Sequence, residues 1–282
     1  MSKLGTSLTA KTLSFATIFT CILALPTTGY SAKPMADGFE SYSLNKKIWW
    51  PSGKRPKIVN EQQKSGNYSA AFELDRFDSR GRRFRTELQL KKSNLRYEKE
   101  YWLSVNYFVP GNWQFDKNTG PIVLQLVGVP DKNTLEAWRN PVMAVSFRGD
   151  RWRMEGRWDH NAKTRTKSGR GWQYSGAYSK TLQKVRTNSW ENFVFRLKMS
   201  HAKSKSGQLT VWQNGKKVFD RKGPNTFNDK TPPFVKMGIY RASWKYKNAK
   251  NAGKATKHKL YVDEVAFGEN LCGRKNEPKW CP

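Results

Sequence analysis

The chain has 282 residues, of which 52 are Lys or Arg and 22 are Asp or Glu, giving a formal net charge of +30. A field of that sign excludes a neutral or acidic surface and attracts polyanions: acidic polysaccharide, nucleic acid or an anionic cell surface. With no low-complexity linker and no internal repeat, the length fits one large all-β domain better than two small ones.

In chain order, the first feature is an export signal. Lys3 and Lys11 give a positive start, residues 12–26 ("TLSFATIFTCILALP") are apolar but too short to span a bilayer, and small residues follow in "TTGYSA". The sequence predicts cleavage after Ser31 or Ala32, so that residues 1–32 are the signal and residues 33–282 the mature domain. Cys21 leaves with the signal, and the mature charge is +28, because the removed segment holds two lysines and no acid. No later segment is long and apolar enough to span a membrane, so the expectation is a secreted or periplasmic monomer.

Strand signals then recur and helical ones are nearly absent. "RRFRTELQL" (82–90) alternates from Phe84: Phe84, Thr86, Leu88 and Leu90 on one face, Arg85, Glu87 and Gln89 on the other. Arg82 and Arg83 lead into it. "EYWLSVNYFVP" (100–110) sets Tyr101, Leu103, Val105 and Tyr107 against Trp102, Ser104, Asn106 and Phe108. "PIVLQLVGV" (121–129) is apolar except for Gln125, as a strand covered on both faces would be. Gly149-Asp150 and Asn214-Gly215 separate alternating runs and predict hairpins. "ENFVFRLKMS" points Phe193, Phe195, Leu197 and Met199 inward. "PPFVKMGIYRAS" puts Lys236, Gly238 and Tyr240 on one face and Val235, Met237 and Ile239 on the other. Many short strands with turns between them predict a β-sandwich of jelly-roll type, whose concave sheet forms a groove. Residues 131–140 ("DKNTLEAWRN") read as a loop with a short helical turn, and residues 159–180 as a long basic loop. Cys272 and Cys281, nine apart in an exported chain, predict a disulfide that staples the C-terminal tail; two cysteines without a nearby histidine are too few ligands for structural zinc.

Three strands thus carry polar groups where a half-buried strand shows its open face: Arg85, Glu87 and Gln89; Gln125; Lys236 and Tyr240. A lone amide in an apolar strand needs a partner. A glycine two residues before the tyrosine leaves room for a ligand or for close backbone approach. The Arg-Thr-Glu-Leu strand, the glutamine strand and the Lys-x-Gly-x-Tyr strand, in that order, resemble alginate lyases of the jelly-roll fold. The segments "DGFES", "QLVG", "PVMAVSFRGDRW", "WENFVFRLKMS", "GQLTVWQNGKKVFD", "PFVKMGIYRASW" and "YVDEVAFG" resemble the heparin lyase I-like and glucuronan lyase group, and together they cover most of residues 36–268.

The resemblance implies an all-β, concanavalin A-like jelly-roll sandwich and a polysaccharide lyase that cuts a uronate-containing chain by β-elimination. It also implies roles. Arg85 and Gln125 neutralise the substrate carboxylate, since arginine offers a rigid fork of donors and glutamine adds an amide. Tyr240 moves protons; a free phenol titrates near pH 10, so this role needs cationic neighbours such as Lys236. Arg82, Arg83, Glu87, Gln89 and Lys236 are the expected substrate-binding set, with Glu87 orienting Arg85. A hydrolase would need two convergent carboxylates, and no second acid stands beside Glu87. Related lyases carry a histidine two residues after the glutamine, where this chain has Val127. His160, before the basic loop, is the second candidate base, whereas His201 and His258, in Lys-rich surroundings, read as surface residues. The missing histidine keeps a second reading open, a non-catalytic module that binds acidic glycan in the same groove. A nucleic-acid binder gains from the charge but has no recognised motif. No cofactor is required for elimination. Asp37, Glu40 and Asp263 are candidate calcium ligands if pairing of terminal strands brings them together, and ordinary turn acids otherwise.

Overall fold

The computed structural model describes Met1 and residues 34–77, 84–167, 171–203, 206–246, 252–273 and 277–282. The proposed export signal, together with Arg82 and Arg83, lies outside the described residues. The strands are numbered in chain order. One antiparallel sheet runs β15 (Lys216–Lys222), β14 (Gln208–Gln213), β13 (Trp190–Lys198), β6 (Glu100–Phe108), β17 (Lys257–Glu269), β4 (Ser69–Asp75) and β3 (Lys57–Val59), with β1 (Met35–Asp37) also pairing on β17. The other runs β12 (Gly176–Lys184), β9 (Arg151–Trp158), β8 (Met143–Arg148), β7 (Ile122–Val129), β16 (Thr231–Tyr240), β5 (Arg85–Leu90) and β2 (Trp49–Gly53). A small hairpin pairs β10 (Arg165–Lys167) with β11 (Gly171–Gln173). Two packed antiparallel sheets make a β-sandwich. The described residues also contain 3₁₀ turns at Lys132–Thr134 and Ala242–Lys245, and no helix among them is long and apolar enough to cross a membrane.

Alternation fixes which side chains meet between the sheets. Leu88, Leu124, Leu126, Val235, Met237 and Ile239 from the second sheet share one core with Leu103, Val105, Tyr107, Phe193, Phe195 and Leu260 from the first. Each such side chain contributes about 1.5–3 kcal/mol by leaving water. On β2, Trp49 turns inward and stacks on Phe39 at 5.9 Å, while Trp50 turns outward and is exposed. The opposite face of the first sheet is not bare. Trp102 stacks on Trp212 at 5.6 Å, and Leu271, Cys272 and Trp280 pack with them. The Cys272–Cys281 disulfide forms and holds this tail on that face.

Both expected hairpins are present. Arg148 pairs with Arg151 across Gly149-Asp150, and Gln213 pairs with Lys216 across Asn214-Gly215. Asn214 and Gly215 both have positive φ, 51° and 77°, as a tight two-residue hairpin turn requires. Residues 159–180 are not one loop. Their first part contains the β10–β11 hairpin and their last part enters β12, which pairs with β9 from Gly176↔Trp158 onward. Glycine removes the steric conflict there, because a Cβ on Gly156 would strike the Tyr178 ring and one on Gly176 the Trp158 ring. His258 is not on the surface either. It is 4% exposed and lies between Trp113 and Trp244, with ring centroids at 4.5 and 5.2 Å.

Candidate active site

The strand order places β16 between β5 and β7, so three sequence-distant segments become neighbours. Lys236 faces Gln89 on one side and Gln125 on the other. Gly238 faces Glu87, and Tyr240 faces Arg85 and Ile122. The row through Lys236 continues across the sheet: Trp50, Gln89, Lys236, Gln125, Ala144, Glu155 and Ser179 are successive partners. In-register partners point to the same side of a sheet, so this row lies on the face turned away from the core.

On that face a cleft of about 670 Å³ is lined by Ser52, Arg85, Gln125, Val127, Phe234, Lys236 and Tyr240, by residues 138–141, and by Ile122, Ala242 and Lys245. The Arg85 guanidinium lies 4.0 Å from the centroid of the Tyr240 ring and 3.5 Å from Glu87 Oε2. Gln125 Nε2 donates to Glu87 Oε1, which answers what satisfies an amide in an apolar strand. Lys236 Nζ donates to Ser52 Oγ at 3.2 Å. Glu87 is 1% exposed. It is the covered partner of Arg85 and Gln125 on this face and does not itself line the cleft. Burial raises its carboxyl above the ordinary range, against the opposing pull of Arg85, Lys236 and the Gln125 hydrogen bond. Gln89 is half-buried beside Lys236 but does not line the cleft.

Gly238 works through its backbone. Its φ is +128°, and the β16–β7 register is irregular between Met237 and Tyr240. A Cβ there would collide with the Thr86 carbonyl and come within 2.7 Å of Phe72. The glycine permits close backbone approach rather than leaving room above the ring.

His160 is not brought to the cleft. It follows β9, three strands from β16, which is about 14 Å at ordinary strand spacing. Its Nδ1 lies 2.6 Å from the His201 carbonyl oxygen, and its own carbonyl accepts from Asn228. Among the described residues no histidine lines the cleft. Sequence reasoning missed Ser52, Trp138, Asn140 and Lys245. The available signal for Trp138 was a large aromatic inside the polar stretch "LEAWRN".

The candidate calcium donors accept hydrogen bonds from backbone and indole N–H groups. Asp37 accepts from the Phe39 amide and from Trp49 Nε1. Glu40 accepts from the Asn67 and Tyr68 amides, and Asp263 from those of Lys64, Ser65 and Glu264. Every carboxylate oxygen already accepts an N–H: Glu40 and Asp263 hold the turn at residues 64–68, and Asp37 holds Phe39 and Trp49. Among the described residues no cluster of three or more His, Cys, Asp or Glu could hold a metal ion.

Comparison with known proteins agrees with the architecture. Endo-β-1,4-glucuronan lyase from the fungus Trichoderma reesei superposes with a TM-score of 0.65 at 15% identity, covering 84% of this chain and 95% of its own. The alginate lyase Aly36B gives a TM-score of 0.49 at 12% identity, covering 87% and 98%. The alginate lyase AlyC3 gives 0.47 at 14% identity, covering 71% and 75%. No curated protein matches the sequence. The sequence profile named polysaccharide lyase matches residues 35–266, which span both sheets and all three strands of the cleft, and the chain therefore belongs to the polysaccharide lyase family.

Proposed function

We propose that the protein is an exported lyase that cleaves a uronate-containing polysaccharide by β-elimination, with Arg85, Gln125 and Tyr240 as its reacting-site groups. The observation that carries this reading is the convergence of these three residues, with Lys236, on one cleft of a polysaccharide lyase domain. Elimination removes the proton from C5 of the uronate and breaks the bond from C4 to the glycosidic oxygen. The C5–H electron pair becomes the C4–C5 double bond, and the leaving oxygen takes up a proton. Arg85 and Gln125 face the carboxylate and stabilise the charge that develops on it as C5 loses its proton. Tyr240 serves as base and then as acid, returning the same proton to the leaving oxygen on one side of the sugar. The Arg85 guanidinium lies against its ring, and Lys236, four residues before it on β16, lines the same cleft. Val127 and the absence of histidine from the described cleft lining make this one-residue proton transfer the route that fits. A uronate substrate agrees with the mature charge and with the name of the fungal glucuronan lyase. Export agrees with the disulfide.

The test is the ultraviolet absorbance of unsaturated uronate ends when the protein is mixed with polyglucuronate, alginates and glycosaminoglycans. At least one substrate should give the signal. Arg85→Ala and Tyr240→Phe should each lower the rate at least about a hundredfold, the lower range for general acid–base groups. An unchanged rate in Tyr240→Phe removes its assigned role. Salt-sensitive retention of glycan without new chain ends would instead support the non-catalytic reading, which Val127 favours.

A further inference from the structure

The connection from β7 to β8 is built to hold two large apolar side chains in water. Leu135 is 87% exposed and Trp138 is 66% exposed. Their neighbours are the reverse. Arg139 is buried, pairs with both Asp229 oxygens at 2.6 and 2.7 Å and with Glu136 at 3.1 Å, and lies 4.4 Å over the Phe227 ring. Glu136 is equally buried and accepts from the Asp131 and Thr164 amides. Desolvating two carboxylates and a guanidinium is costly, so this network specifies one loop conformation rather than adding stability freely. Leu135 adopts a left-handed φ of 57°, a further cost for a branched residue.

That fixed conformation sets the Trp138 indole at the cleft, whose lining also contains Asn140 and Pro141 from the same connection. Single exposed apolar residues are ordinary on a surface. This one directly precedes the anchored Arg139 and lines a cleft together with Arg85, Gln125, Lys236 and Tyr240. A pyranose ring presents an apolar C–H face and a polar rim, and an indole offers the matching apolar plane with a polar edge. A platform ordered before binding loses little entropy when ligand arrives.

We propose that Trp138 is the stacking platform for the sugar unit next to the uronate held at Arg85 and Gln125, and that it determines how a chain seats in the cleft. The proposal rests on the lyase reading for the identity of that uronate, but not for the stacking itself. It is tested in the mature protein with Trp138→Ala and Trp138→Phe, using polyglucuronate, alginate and their oligomers as probes. Because Trp138 is mostly in water, both variants should keep the wild-type circular dichroism. In Trp138→Ala the KM should rise about tenfold, the scale of one aromatic stacking contact, with kcat within about twofold; Trp138→Phe should recover most of the loss. A wild-type KM in Trp138→Ala overturns the proposal. If the wild type forms no unsaturated ends from any probe, the elimination chemistry fails, and Trp138 is judged by calorimetric Kd for the same glycans. There a Kd about tenfold weaker in Trp138→Ala supports the platform and an unchanged Kd overturns it. A wild type that neither cuts nor binds these glycans overturns both readings.

Discussion

Burial opposes ionisation of Glu87 and raises its carboxyl, while Arg85, Lys236 and the Gln125 hydrogen bond pull the other way. The ionised form is what pairs with Arg85, so activity and stability respond to it with opposite signs. Its folded titration lies above the unfolded one, so its contribution to stability is full below the unfolded value and is lost as pH rises through the folded value. Glu87→Gln should therefore raise the urea midpoint at neutral pH while lowering kcat/KM about tenfold, the scale of one charge-assisted contact. The acidic limb of the wild-type kcat/KM profile should be absent from the variant. A variant that is both less stable and fully active would show that Glu87 only fills space. Arg85 and Tyr240 were legible in the sequence because their strands alternate, and Gln125 because it is the lone polar residue of an apolar strand. Trp138 was not, because loop exposure has no period. His258 was misread from its lysine neighbours, although the alternation His258, Leu260, Val262 on β17 already pointed it inward.

At the level of elements, β16 and β17 bear the tightest constraints. Gly238 lets the β16 backbone pass close to Thr86 and Phe72 just before Tyr240. Gly238→Ala should cost about 2–3 kcal/mol in urea unfolding, as expected for Cβ overlap at a positive φ, and should lower kcat by shifting Tyr240. A variant of wild-type stability and rate would show that the strand can relax. On β17, burial, joined by the nearby Arg241 charge, lowers the His258 imidazole to about 3. With the folded value below the unfolded one, stability is full above about pH 6.5 and is lost as pH falls toward 3. Between pH 6.5 and 4.5 the wild type should lose about 2–3 kcal/mol through this group. His258→Phe, which keeps a ring between Trp113 and Trp244, should be less sensitive to acid by that amount. Equal acid sensitivity of the two proteins would remove His258 as the cause. Strand positions were readable from period-two patterns, but β12 was hidden in a polar, glycine-rich stretch. It is an outermost strand with mostly exposed side chains, so little apolar alternation was there to read.

For the molecule as a whole, charge sets the range of the encounter and the cleft sets its outcome. Attraction between a chain of formal net charge +30 and a polyanion is screened over about 10 Å at 0.1 M salt. Raising salt from about 0.05 to 0.5 M should increase KM for polymer about tenfold or more, with kcat little changed. A salt-insensitive KM would confine recognition to the cleft contacts. The sandwich itself was legible because its core is alternating aromatic and aliphatic residues, whereas strand order was not, because pairing partners lie as far apart as Met35 and Phe267. The strand order also decides how copies of the chain meet. Open sheets end in strands with unpaired backbone groups, which invite another chain to add on. Here the terminal strands are β15 and β3 in one sheet, β12 and β2 in the other. β15 carries Lys216, Lys217, Arg221 and Lys222, β3 carries Lys57, β12 carries Lys180 and Lys184, and β2 carries Pro51, which has no amide to donate. These cations oppose edge-to-edge pairing of two copies, and a polyanion laid over a terminal strand would weaken that repulsion there.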